Sequence, residues 1–161
     1  MNKIVLNTGL WSAIICLSAF VVWIVSFVGI AIQSPLFAWT NIEAYIDYIN
    51  NNDQFFQYLA KSFMIVFSLA YMTLSMVLYE FTSTERKILA KIANAFSIMF
   101  VILSSAHYFV QISSVRFAVN AKNFSGLGHF IQSNPTSFIS SVNMLGWTLF
   151  LGLSTSFLYL G

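Results

Sequence analysis

The residues with the most chemical capacity lie in SSAHYFVQISSVR, residues 104–116. His107 titrates near neutral pH, and Gln111 follows one helical turn later with both donors and acceptors to offer. Ser97, Ser104, His107, Gln111 and Ser114 are spaced by 7, 3, 4 and 3 residues. At about 100° per residue that spacing sets them on one helix face. By the same count Arg116, nine residues beyond His107, falls on the opposite side. The run that carries them is apolar. Hydrocarbon offers no hydrogen-bond partners, so the stripe is expected to face other helices or a wet cavity.

Two readings of the stripe stand side by side. In one, the polar groups are a seam that zips helices together, each interhelical hydrogen bond contributing about 0.6–2 kcal/mol. In the other, Ser104, His107, Gln111 and Ser114 form the polar floor of an outward-facing pocket. His107 would then sit about 8–12 Å below the edge of its span, at about 1.5 Å per residue. Secondary candidates are Lys61 and Tyr71 in the second apolar run, Asn143 in the fourth, and Arg116. Lys61 is expected either to snorkel to the interface or to pair with an acidic residue of the first loop. Glu80, at the end of the second run, is expected to be solvated.

The elements that must position these groups follow from composition. Only 7% of the 161 residues are charged, against about 25% in soluble domains, which excludes an ordinary soluble fold. Four apolar runs meet the ~20 residues needed to cross a bilayer. The expected fold is all-α: an integral membrane four-helix bundle with helices over about 8–32, 55–81, 83–120 and 135–160, forming one transmembrane domain, 1–161. The first run is too long for a signal-peptide core and lacks an A-x-A site, so it reads as a retained helix. TSTE (82–85) matches a capping box opening the third helix. Asn134 and Pro135 read as the N-cap and first residue of the fourth.

The first loop carries a helix of its own, over about 41–50. Thr40 and Glu43 suggest its capping box, and Ile42, Tyr45, Ile46 and Ile49 fall on one apolar face. Glu43, Asp47 and Asn50 take the other face. Surface-bound helices are usually basic, so this acidic one is expected to dock on its own protein as a short interfacial helix. Lys3, Arg86, Lys87 and Lys91 stand on one side of the membrane and Lys61, Arg116 and Lys122 on the other. The cluster at Arg86–Lys87–Lys91 places both termini in the cytoplasm.

Several chemistries have no motif here: HExxH, GxSxG, CxxC and the phosphate-binding glycine loop are all missing from the sequence. Cys16 lies alone in the first run and reads as a small apolar residue. No cofactor, metal or nucleic acid is expected, and no enzymatic activity. The expected partners are the lipid bilayer and a homo-oligomer or larger membrane complex. The expected role is binding of a lipid-like or small ligand, or service as a partner subunit; the alternative is a transport or channel component acting as an oligomer.

HYFVQISSVR, followed by NPTSF and LGW, resembles a pattern in uncharacterised prokaryotic multi-span membrane proteins, in which an HYFxQ helix leads into VR and a loop ends in NP. That family has no assigned activity. The resemblance implies a prokaryotic inner (plasma) membrane protein and directs attention to His107, Gln111, Arg116, Asn134 and Pro135. Members run longer, which implies that this chain is a shortened relative.

Overall fold

The computed structural model describes residues 2–160, and among them the secondary structure is entirely helical. Five helices follow one another: α1 (Lys3–Gln33), α2 (Ile42–Asn51), α3 (Phe55–Phe81), α4 (Thr84–Asn120) and α5 (Phe138–Leu160). All but α2 are long and apolar enough to cross a membrane. Between α4 and α5 lies a single 3₁₀ turn, Leu127–Phe130.

The helices sit in the order α1–α3–α4–α5, each packed along the next. Their facing sides are small or hydroxylated, and their outer sides are large and apolar. On α1 the buried residues include Ser12, Ala19 and Ser26, while Ile14, Leu17, Val21 and Val25 face outward. This inverts the soluble pattern, because lipid solvates apolar side chains and close backbone approach then drives association. Gly29 shows how close that approach is. A Cβ at this position would stand 2.7 Å from the Phe56 ring of α3. Polar links tie the other seams: Ser75 donates to Asn94 across α3 and α4. Tyr71 donates to Ser154 at 3.0 Å, and Ser154 to the Ala93 carbonyl at 2.9 Å, joining α3, α5 and α4.

The helix starts differ from expectation, each because a neighbouring side chain wins the cap. α2 is capped by Asn41, whose side chain accepts from Ala44 N at 2.8 Å, rather than by Thr40. At α4 the capping box does not form. Thr82 Oγ1 bonds back to Leu78 at the end of α3, and α4 opens with a 3₁₀ turn, Thr84–Arg86. α5 begins at Phe138 under Ser137, whose hydroxyl accepts from Ser140 N at 3.0 Å. Asn134 instead folds the preceding turn, accepting from Thr136 N and donating to the Gly128 carbonyl.

Two stretches widen from α to π geometry: Gln111–Val115 in α4 and Leu145–Leu151 in α5. Such bulges rotate everything downstream relative to a regular helix. At that same end of the molecule α2 docks on the chain itself. Tyr45, Val115, Val119, Leu127 and Ile131 form a buried cluster covered by Phe37, Trp39, Ile42 and Ile49. Burial raises the Tyr45 hydroxyl above the ordinary phenol range, with the neighbouring Tyr58 and Tyr48 adding to it.

Candidate functional site

Beneath α2 the helices diverge around a cavity of about 550 Å³. Its two sides differ in chemistry. Trp23, Phe27 and Ile30 of α1, with Leu36 and Phe37 of the following segment, make an apolar wall. Gln57 and Lys61 of α3, one turn apart, form a polar one with Gln54, the residue that caps the helix. Gln111 of α4, Gln132 and Ser133 of the connecting loop, and Asn143 of α5 extend it. Tyr45 and Tyr48 of α2 lie over the top.

The floor is aromatic. The Trp147 indole stacks between Phe67, at 6.3 Å and 9°, and Trp23, at 6.4 Å and 22°. Phe100 meets it edge-on at 5.5 Å, and its Nε1 donates to the Tyr108 hydroxyl at 3.2 Å. One ring from each of the four long helices therefore joins in a single layer. The cavity ends there, and the Tyr71–Ser154 and Ser75–Asn94 links lie beyond it.

The sequence-derived residues divide. Ser97, Ser104, His107 and Gln111 do share one buried face. Ser114 does not: it is exposed, because the π turn that starts at Gln111 carries it off the stripe. The same turn brings Arg116 round to the α3 side. Its guanidinium stands 5.2 Å from the Tyr58 ring centroid, and it lines a minor annex with Gln111 and Lys61, which corrects its expected opposite placement. His107 is fully buried, but behind the cavity wall rather than in it. Its Nδ1 lies 3.0 Å from the Ile139 carbonyl. A carbonyl only accepts, so Nδ1 carries the proton. Nε2 is left without a partner, facing the Gln132 side chain. The Ser104 hydroxyl is likewise buried and unpartnered.

Gln111 reaches the cavity but spends its amide on the loop. Nε2 donates to the Phe130 carbonyl, and Oε1 accepts from Gln132 N at 3.2 Å. This clamp presses residues 130–132 against α4 and so sets the positions of Gln132 and Ser133. Lys61 pairs with no acid among the described residues. It is half-buried in the polar wall, its ammonium 5.9 Å from the Tyr58 ring. Asn143 lines the cavity as well, and Tyr71 belongs to the α3–α5 link.

Some polar atoms around the cavity are left without partners. Gln132 Oε1, Ser133 Oγ and Asn143 Oδ1 are buried with no hydrogen-bond partner in the protein. All three belong to cavity-lining residues. Buried polar groups are ordinarily satisfied; these three atoms are sealed from the open volume, so the lining is left to the other polar groups, Gln54, Gln57, Lys61 and the amide nitrogen of Asn143, which bonds nothing in the protein. Sequence reasoning missed Gln132, Ser133, Trp23, Phe27, Tyr108 and Trp147. The Gln54–Gln57–Lys61 spacing was the one readable signal for the polar wall. Comparison of the chain with known proteins found no matching family model, no matching curated protein and no matching solved structure.

Proposed function

We propose that this chain is a non-enzymatic integral membrane protein that binds a lipid-like amphiphile in the cavity beneath α2. The observation that carries the reading is the division of that cavity: an apolar wall from α1 faces a polar wall that carries Gln57, Lys61 and Asn143. Ligand pockets commonly occupy about 300–1,000 Å³ and combine apolar lining with a few placed polar groups; the volume here, about 550 Å³, fits that range. In this reading the four long helices form a bundle across the plasma membrane of a prokaryote. α2 lies at the interface as a lid with Glu43 and Asp47 toward water. The cluster of Arg86, Lys87 and Lys91, with Lys3, supports cytoplasmic termini, and with them a cavity that opens outward. Assembly into a homo-oligomer or larger complex would proceed through the exposed apolar faces.

The aromatic layer under the cavity supports binding over conduction, since a solute path through one chain would have to pass Trp147. The test is native mass spectrometry of the chain from mild detergent, with Gln57→Trp beside it. A retained small-molecule adduct, lost when the indole fills the cavity, is the expected result. Cavity-independent adducts, or solute flux in liposomes that survives Gln57→Trp, would refute the reading.

A further inference from the structure

The charge distribution around the cavity carries the reading one step further. Lys61 lies six residues past the start of α3, roughly 9 Å down the helix at 1.5 Å per residue. No acidic side chain lines either the cavity or its annex. The three acids at this end all face solvent: Glu43 and Asp47 on the outer side of α2, and Asp53 before α3. Asp47 is held by Asn51 at 2.9 Å, and Asp53 accepts from Phe55 N at 2.9 Å. Meanwhile a second cation stands close, because Arg116 and Lys61 both lie over the Tyr58 ring. The polar wall thus holds one positive charge, Lys61, with Arg116 beside it in the annex and no negative charge in either. A cation that is partly removed from water needs a counter-charge or pays a desolvation penalty.

We propose that the bound amphiphile carries a single anionic head, carboxylate or phosphate, seated on Lys61, with its tail along Trp23, Phe27 and Ile30. This rests on the ligand-binding reading above. The amide nitrogen of Asn143, which makes no hydrogen bond within the protein while its oxygen is sealed, can donate to a second oxygen of the head. A neutral head would leave Lys61 unpaired. A zwitterionic head would bring a further cation against Lys61 and Arg116.

The test uses the full chain in mild detergent at about pH 8, where both anionic heads are ionised. Four probes of matched chain length are compared by titration of tryptophan fluorescence: a fatty acid, a lysophosphatidic acid, a monoacylglycerol and a lysophosphatidylcholine. The expected result is at least ~10-fold tighter binding of an anionic probe. Lys61→Met should erase that preference while keeping monoacylglycerol binding, and Lys61→Arg should retain it. Binding of the fatty acid alone identifies a carboxylate ligand, and binding of the lysophosphatidic acid a phosphate one; either supports the proposal. Equal binding of charged and neutral probes, or a preference that survives Lys61→Met, overturns the proposal and leaves the ligand-binding reading intact. No binding of any probe overturns both.

Discussion

Gln111→Leu isolates the clamp between α4 and the connecting loop. Leucine keeps nearly the volume of glutamine but removes both ends of the amide. The Phe130 carbonyl and the Gln132 N–H each lose a partner. Leaving a buried polar group unsatisfied costs about 1–3 kcal/mol. Two such losses, partly relieved by water at the cavity edge, amount to about 2–4 kcal/mol of local stability. At 1.4 kcal/mol per factor of ten, amide exchange across residues 127–134 should speed up by about 30-fold to several hundred-fold. The effect should stay local, since Leu127 and Ile131 join the cluster under α2 whereas the α1–α3 seam is remote from it. Hydrogen exchange read by mass spectrometry measures this directly. Ser114→Leu is the matched control: a regular helix would put it on the same stripe, but it is exposed, so protection should not change. Unchanged exchange in Gln111→Leu, or equal loss in Ser114→Leu, would refute the clamp and the role given to the π turn.

Three further outcomes follow from the geometry. Gly29→Leu forces a side chain into the Phe56 ring; overpacking of this kind costs about 1–3 kcal/mol, and a thermal melt in detergent should show the loss, with an unshifted Tm counting against close α1–α3 contact. His107→Ala should cost stability, about 1–3 kcal/mol, by stranding the Ile139 carbonyl and leaving a void. Because His107 lies behind the wall, amphiphile affinity should change by less than ~10-fold; a larger loss would put the imidazole in the site. Tyr45 holds its proton more tightly folded than unfolded, so its contribution is complete below the ordinary phenol value of about 10 and falls as pH rises beyond it. Proteolysis of the α2 segment should therefore increase above about pH 10 in the native chain and much less in Tyr45→Phe; identical profiles would exclude this tyrosine as the cause.

The long helices were legible because lipid leaves composition as the dominant signal: few charges and four long apolar runs fix where they lie. Their starts were harder to read. Thr40–Asn41, Thr82–Ser83 and Asn134–Ser137 each offer several competent caps within a few residues, and tertiary contacts decide among them. Asn134 is drawn to Gly128, for example, which leaves α5 to Ser137. The stripe stays on one buried face through Gln111 and leaves it at Ser114, since nothing in the residue types announces a π turn. The cavity was legible on one side only. Lys61 and Gln111 stand out as polar groups in apolar runs, but Trp23 and Phe27 look like any other lipid-facing aromatics until α5 brings Trp147 opposite them.

That meeting of α1 and α5 has a consequence of its own. Elsewhere neighbouring helices interlock along their length, but these two have no extensive contact among the described residues and touch through the Trp23 and Trp147 rings. A junction made of side chains can part by rotamer changes, with neither backbone unwinding. Under the proposed function, the α1–α5 side above this aromatic layer would be the route in from the bilayer. An amphiphile dissolved in the leaflet would reach the chamber edgewise, its tail never leaving hydrocarbon. Its arrival rate would then follow its concentration in the membrane rather than in water.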